Sequence, residues 1–339
     1  MPPEGHPPVA DARVGVLVIN LGSPDAPEPA AVKRYLKEFL SDPRVVEIPA
    51  FVWQPILRGI ILNTRPAKSA ALYASIWDRA RGDSPLRVIT ADQAAALQAA
   101  LPDVTVDFAM RYGNPSIPDR LAALKAAGCA RILVMPLYPQ YSAATTATAI
   151  DKVGAGLKAM RWQPALRFLP PYHDDPLYIS ALADDARAGL AALDFEPDML
   201  VASFHGMPER TLHLGDPYHC QAQKTARLLR EALGLQDACF RTVFQSRFGK
   251  AEWLKPYLDK TLAALPGEGV RKVAVIAPGF SADCIETLEE IAIRGRETFL
   301  DAGGTHFAYL RCLNAGDAGI GMLRGLAQRE LAGWRESGH

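Results

Sequence analysis

Six short runs rich in β-branched and apolar residues recur along the chain: VGVLVIN at 14–20, VTVDFAM at 104–110, RILVMPLY at 131–138, DMLVASFH at 198–205, FRTVFQS at 240–246 and KVAVIAP at 272–278. Ala- and Leu-rich segments of helical length separate them. Runs without polar alternation suit strands buried on both faces, and parallel strands of that kind are joined by crossover helices. The expected fold is therefore α/β and doubly wound. A weak internal repeat adds to this, since TVDFAMRYG at 105–113 resembles TVFQSRFG at 242–249, and each leads through LAAL and a glycine into a strand ending at Pro136 or Pro278. Two related lobes are one reading and chance similarity of Ala/Leu-rich helices the other. If the lobes are real, the cleft lies between them.

The chain has 339 residues, with 37 Lys+Arg against 37 Asp+Glu, so no net field draws it to nucleic acid or anionic lipid. Its five cysteines are scattered, odd in number and never in a CxxC pair, which argues against a disulfide framework or a zinc or iron-sulfur knuckle and favours a reducing, cytoplasmic setting. No run approaches the roughly 20 apolar residues that span a bilayer. The expected organisation is a disordered, Pro-rich lead over 1–12, an N-terminal lobe over 13–165, a C-terminal lobe over 166–315 and a helix and tail over 316–339. Within the first lobe, residues 44–87 break the pattern, and FVWQPILRGIIL at 51–62 reads either as a core helix or as an apolar lip on a ligand cleft.

In open parallel sheets ligands bind beyond the carboxyl ends of the strands. The segments there are Asn20–Leu21–Gly22, Arg111–Tyr112–Gly113, His205–Gly206–Met207 and Gly279–Phe280–Ser281. None is a GxGxxG, a Walker loop or a GxSxG elbow, so the mechanical parts of dinucleotide, phosphate and acyl-enzyme sites are missing. His205 at a strand tip either caps the following turn or offers one imidazole nitrogen to a ligand. In FSADCIETLEEI, Asp283, Glu286 and Glu290 recur at i, i+3 and i+7, either as a solvated face or as a site for a divalent cation or a proton relay beside His205. One histidine and one acid leave a metal with open positions, which suits handling it rather than storing it. Tyr112, Tyr138, Tyr141, Phe248, Trp253 and Phe280 follow strands and suit a flat conjugated ligand, while Arg111 and Arg247 either meet that ligand's carboxylates or pair with helix acids.

Taken together, NLGSPDAP, FAMRYGNPSI, LYPQYSAATT, SFHGMPER with GDPY, FQSRFG with EWLKPY, and PGFSADCIETLEEI resemble the ferrochelatase family in the family's order. The resemblance implies two Rossmann-like lobes of the chelatase type around a porphyrin cleft. Its central pair falls on His205 and Glu286, both as catalytic residues and as iron ligands. Asp283 joins them as a catalytic residue and Glu290 as a relay, on a π-helical stretch. Leu21, Arg111, Tyr112, Tyr138, Ser142, Trp253 and Phe280 are the expected substrate contacts. One turn further on, where some members carry another acid, this chain has Arg294.

The implied reaction inserts ferrous iron into protoporphyrin IX with ring distortion and loss of two pyrrole protons. Iron is then a substrate, and no tightly bound cofactor is expected. With no cysteine after Cys312, an iron-sulfur cluster is not expected either. The stretch 51–62 matches the family's cleft lip, which implies loose membrane association. Cobalt or nickel chelation on a related tetrapyrrole, coproporphyrin as substrate, and a non-catalytic haem carrier are the alternatives.

Overall fold

The computed structural model describes residues 3–6, 13–247, 249 and 251–334. The expected lead over 1–12 lies largely outside the described residues, as do Phe248 and the tail 335–339. Among these described residues, eight strands form two four-stranded sheets. The first contains β1 (Arg13–Gly22), β2 (Thr105–Tyr112), β3 (Cys129–Pro136) and β4 (Ala165–Phe168) in the order β2-β1-β3-β4. The second contains β5 (Met199–His205), β6 (Phe240–Gln245), β7 (Lys272–Ile276) and β8 (His306–Leu310) in the order β6-β5-β7-β8.

All pairings are parallel, and the second sheet repeats the strand order of the first. The sequence repeat therefore has a topological counterpart: β2 and β6, which carry the matched motifs, occupy the same edge. β4 and β8 were not foreseen. Both are edge strands with half-exposed faces, so neither needs a continuous apolar run. β4 supplies the fourth strand of the N-terminal sheet and crosses the expected boundary at 165.

Alternation along β1 sets the layers. Val14, Val16 and Val18 face one core cluster while Leu17 and Ile19 face another. The first of these clusters is shared between lobes, because it also holds Phe204 and Ile276 of the second sheet and Leu182, Met322 and Leu326 from the helices Pro176–Ala191 and Asp317–Glu330. The helix Pro85–Ala100 starts with Ser84 as its cap and Pro85 at the first position, where a missing N–H costs nothing. From that helix Gln93 reaches across, and its Nε2 donates to the carbonyls of Ser281 and Asn314, each at 2.9 Å. The C-terminal lobe's Gly279–Ser281 loop is thus held against the N-terminal lobe.

Residues 50–64 are part core and part exposed apolar surface. Trp53, Leu57 and Leu62 pack inward with Leu40, whereas Phe51 is 81% exposed and Ile60 57% exposed, with Ile48, Val52 and Ile56 beside them. Among the described residues no helix is long and apolar enough to cross a membrane.

Candidate active site

β5 stops at His205 because Gly206 turns its backbone into β6. The Gly206 N–H donates to the Gln245 carbonyl at 2.7 Å, and a Cβ on Gly206 would stand 2.5 Å from that oxygen. The Gly206 carbonyl in turn lies 2.7 Å from His205 Nδ1. A carbonyl can only accept, so Nδ1 donates to it and Nε2 is the ring nitrogen left to face a ligand. The imidazole stands with Phe280, ring centroids 6.4 Å apart, and Trp253, bridged to Pro208, closes over Gly206.

Glu286 opens the π-helix Glu286–Gly295. Gln245, the register partner of His205, donates from Nε2 to the Glu286 carbonyl at 2.7 Å, so the imidazole and the acid are joined through one residue. Leu21, Tyr35, Tyr73 and Cys284 line a narrow cavity with Glu286. Burial pushes the Tyr35 and Tyr73 phenols well above their ordinary range, and the Glu286 charge adds to it. Burial and then Glu286 do the same to the Cys284 thiol. All three stay protonated at neutral pH, so the carboxylate faces neutral groups.

Asp283 is buried, and donors fill its carboxylate: Thr287 at 2.9 Å and Tyr309 at 2.7 Å on Oδ1, and Asn314 at 2.7 Å on Oδ2. Its backbone N–H donates back to Asn314 Oδ1 at 2.8 Å. Glu290 accepts from the Ser246 N–H at 2.8 Å and from the Ser246 hydroxyl. Arg294 Nε meets both oxygens of buried Glu289, at 2.8 and 3.0 Å, and its guanidinium lies 4.0 Å from Glu290. The three acids read as one row thus take three separate sets of partners. Among the described residues no group of three or more His, Cys, Asp or Glu side chains converges as a metal cage.

The expected substrate residues divide. Leu21 and Phe280 pack with Leu86, Ala282 and Cys284, Phe280 standing near His205 and Leu21 lining the cavity with Glu286. Tyr138 packs in the N-terminal core, and its buried hydroxyl has no hydrogen-bond partner in the structure. Ser142 is buried, donates to Asp216 at 3.2 Å and accepts from the Ala144 N–H.

Arg111 does meet a carboxylate, but it is the chain's own Asp42, and its Nε donates to Thr148 Oγ1 at 2.6 Å and to the Thr148 carbonyl at 2.9 Å. Tyr112 is fully buried beneath the guanidinium and donates its hydroxyl to Asp42 at 2.8 Å. The ion-pair alternative also describes Arg247, which meets Asp259 at 2.7 Å. Tyr35 and Tyr73 carry no local signal in the sequence, because they come from helices that begin several residues beyond the nearest strand tip and reach it only in the folded chain.

The chain matches a family model described as Ferrochelatase over residues 13–331. It is 54% identical to a ferrochelatase of Rhizobium meliloti (strain 1021), covering 97% of this chain and 98% of that one. It is 52% identical to a ferrochelatase of Agrobacterium fabrum (strain C58 / ATCC 33970), covering 98% and 97%. In structure it is similar to SirB from Bacillus subtilis with Fe3+, at TM-score 0.56 and 11% identity over 94% of this chain and 96% of that one, a likeness of fold.

Proposed function

Since the chain belongs to the ferrochelatase family, we infer that it is the enzyme that inserts ferrous iron into protoporphyrin IX in haem synthesis. The reaction exchanges two pyrrole N–H protons for one Fe²⁺ and needs no change of oxidation state. A planar free base hides its nitrogen lone pairs, so contacts along the ring edge must bend it before metal can enter. We propose that Leu21, Phe280 and Trp253 supply apolar contacts for that, with Tyr138 and Ser142 further along the cleft. Arg111 and Tyr112 would then act from beneath, by bracing the cleft wall through Asp42.

In this reading His205 accepts the pyrrole protons one at a time, releasing the first to solvent before it takes the second. The supporting observation is the hydrogen bond from Nδ1 to the Gly206 carbonyl, which leaves Nε2 as the one basic nitrogen at the tip of β5. Glu286 holds the incoming iron, since a carboxylate suits Fe²⁺ and the phenols of Tyr35 and Tyr73 bring no competing charge. Asp283 anchors the start of the helix that carries Glu286, and Glu290 passes protons or iron toward it. Iron is a substrate and no resident cofactor is invoked. The exposed side chains of Ile48, Phe51, Val52, Ile56 and Ile60 rest on the cytoplasmic surface of a membrane, where an apolar porphyrin would be delivered.

Anaerobic Fe²⁺ insertion, followed by loss of the free-base visible spectrum, tests this. His205→Ala and Glu286→Gln should each slow turnover by orders of magnitude with the fold intact, and near-normal turnover in either refutes the assignment. Protoporphyrin should be consumed in preference to coproporphyrin and sirohydrochlorin. A bound porphyrin whose free-base spectrum persists would mark a carrier.

A further inference from the structure

The side chain of Gln245 lies between the two groups proposed to do the chemistry and touches neither reacting end. It is buried at the tip of β6. Ser203 on β5 donates to its Oε1 at 2.6 Å, which orients the amide. Its Nε2 therefore points the other way and donates to the Glu286 carbonyl at 2.7 Å. Its own backbone carbonyl receives the Gly206 N–H at 2.7 Å, and the Gly206 carbonyl holds His205 Nδ1 at 2.7 Å. The next residue reinforces the join: Ser246, in the left-handed region at φ 63, turns its N–H onto Glu290 at 2.8 Å.

We propose that Gln245 is a positioning residue for metal insertion. One face of this residue fixes the turn that orients the imidazole, and the other fixes the first residue of the π-helix that bears the acid. A carbonyl opening a π-helix has its in-helix donor five residues on, so the amide takes a lone pair that the helix leaves free. The distance between Nε2 of His205 and the Glu286 carboxylate then depends on one amide of fixed length. Small displacements of groups that must act in concert cost rate more than binding.

This inference rests on the His205–Glu286 pairing, and the experiment separates the two. Gln245→Met keeps the length and volume and removes both amide hydrogen bonds. It should lower kcat for Fe²⁺ insertion about tenfold to a hundredfold, while porphyrin affinity, read by quenching of free-base fluorescence, changes less than threefold. Ser203→Ala, which frees the amide without deleting it, should lower kcat about threefold to tenfold, and the double variant should be no slower than Gln245→Met alone, since Ser203 acts through Gln245.

A kcat within threefold of the wild type for Gln245→Met, or porphyrin affinity falling in step with kcat, overturns the proposal. So do additive losses in the double variant. If Gln245→Met does not fold, Ser203→Ala decides alone, and an unchanged kcat there overturns it. Should His205→Ala or Glu286→Gln retain turnover, the pairing itself fails. If they lose it while Gln245→Met does not, only the positioning role fails.

Discussion

Arg111 and Asp42 form an ion pair sealed at the end of the N-terminal sheet, with side chains 9% and 6% exposed. Burial alone would raise the Asp42 carboxyl, but donors from Thr148, the Arg44 backbone and Tyr112, together with the Arg111 charge, hold it below the usual carboxylate range. Removing one member of such a pair leaves an uncompensated buried charge, so Asp42→Asn should cost about 3–5 kcal/mol in urea denaturation at pH 7. An unfolded aspartate titrates near 3.9 and the folded one lower. Its stabilisation is therefore complete above that value and disappears as pH falls through the folded value. The wild type should lose more of its urea midpoint between pH 5 and pH 2 than Asp42→Asn does.

The proposed division of labour between base and acid predicts different kinetics for the two variants. Besides its loss of turnover, Glu286→Gln should raise KM for Fe²⁺ at least tenfold, because it weakens the hold on iron before transfer. His205→Ala should leave that KM within threefold and lower kcat instead. Steady-state rates over a range of iron concentrations check both, and exchanged patterns would assign the roles the other way round.

The apolar stretch offers a contrast on a single helix. Phe51→Ser should reduce co-sedimentation with anionic lipid vesicles severalfold and change stability by no more than about 0.5 kcal/mol, since the ring is exposed. Trp53→Ala should cost about 3–5 kcal/mol, because it empties a packed site and removes the indole N–H from the Leu40 carbonyl, 2.6 Å away. Chemical denaturation and vesicle binding of the pair separate surface from core.

Gly206→Ala should be costly for a chain of ordinary backbone angles at that position. The new methyl would face the Gln245 carbonyl at 2.5 Å and the Trp253 ring at 3.2 Å, so the β5 tip must move away from β6. A stability loss of about 1–3 kcal/mol is expected from the overpacking. Insertion rate should fall further than stability explains, which melting curves and rates measured on the same preparation would reveal.

Much of this was legible from local pattern. The apolar runs place six of the eight strands, and the residues just beyond them include His205 and Phe280. The spacing of the acids at 283, 286 and 290 suggests one helix face, but Asp283 precedes the helix and the segment from Glu286 is a π-helix, and spacing cannot say what each one touches. Asp283 is held by Tyr309 and Asn314 and Glu290 by Ser246, through contacts between segments tens of residues apart. Arg111 shows the same limit, for a strand-tip arginine looks alike whether its carboxylate arrives with a ligand or stands in a loop of the same chain. β4 and β8 escaped because edge strands keep a wet face. Tyr35, Tyr73 and Gln93 reach the cleft region only through tertiary packing.

The helix Asp317–Glu330 inserts Met322 and Leu326 into the core that both sheets share, and Arg167 of β4 donates to the carbonyls of Glu330 and Ala332 at 2.6 and 2.8 Å. Without that helix the core shared by the two sheets lacks the Met322 and Leu326 side chains. Translation products cut short before that helix would leave large apolar surfaces bare, inviting chaperones or proteases.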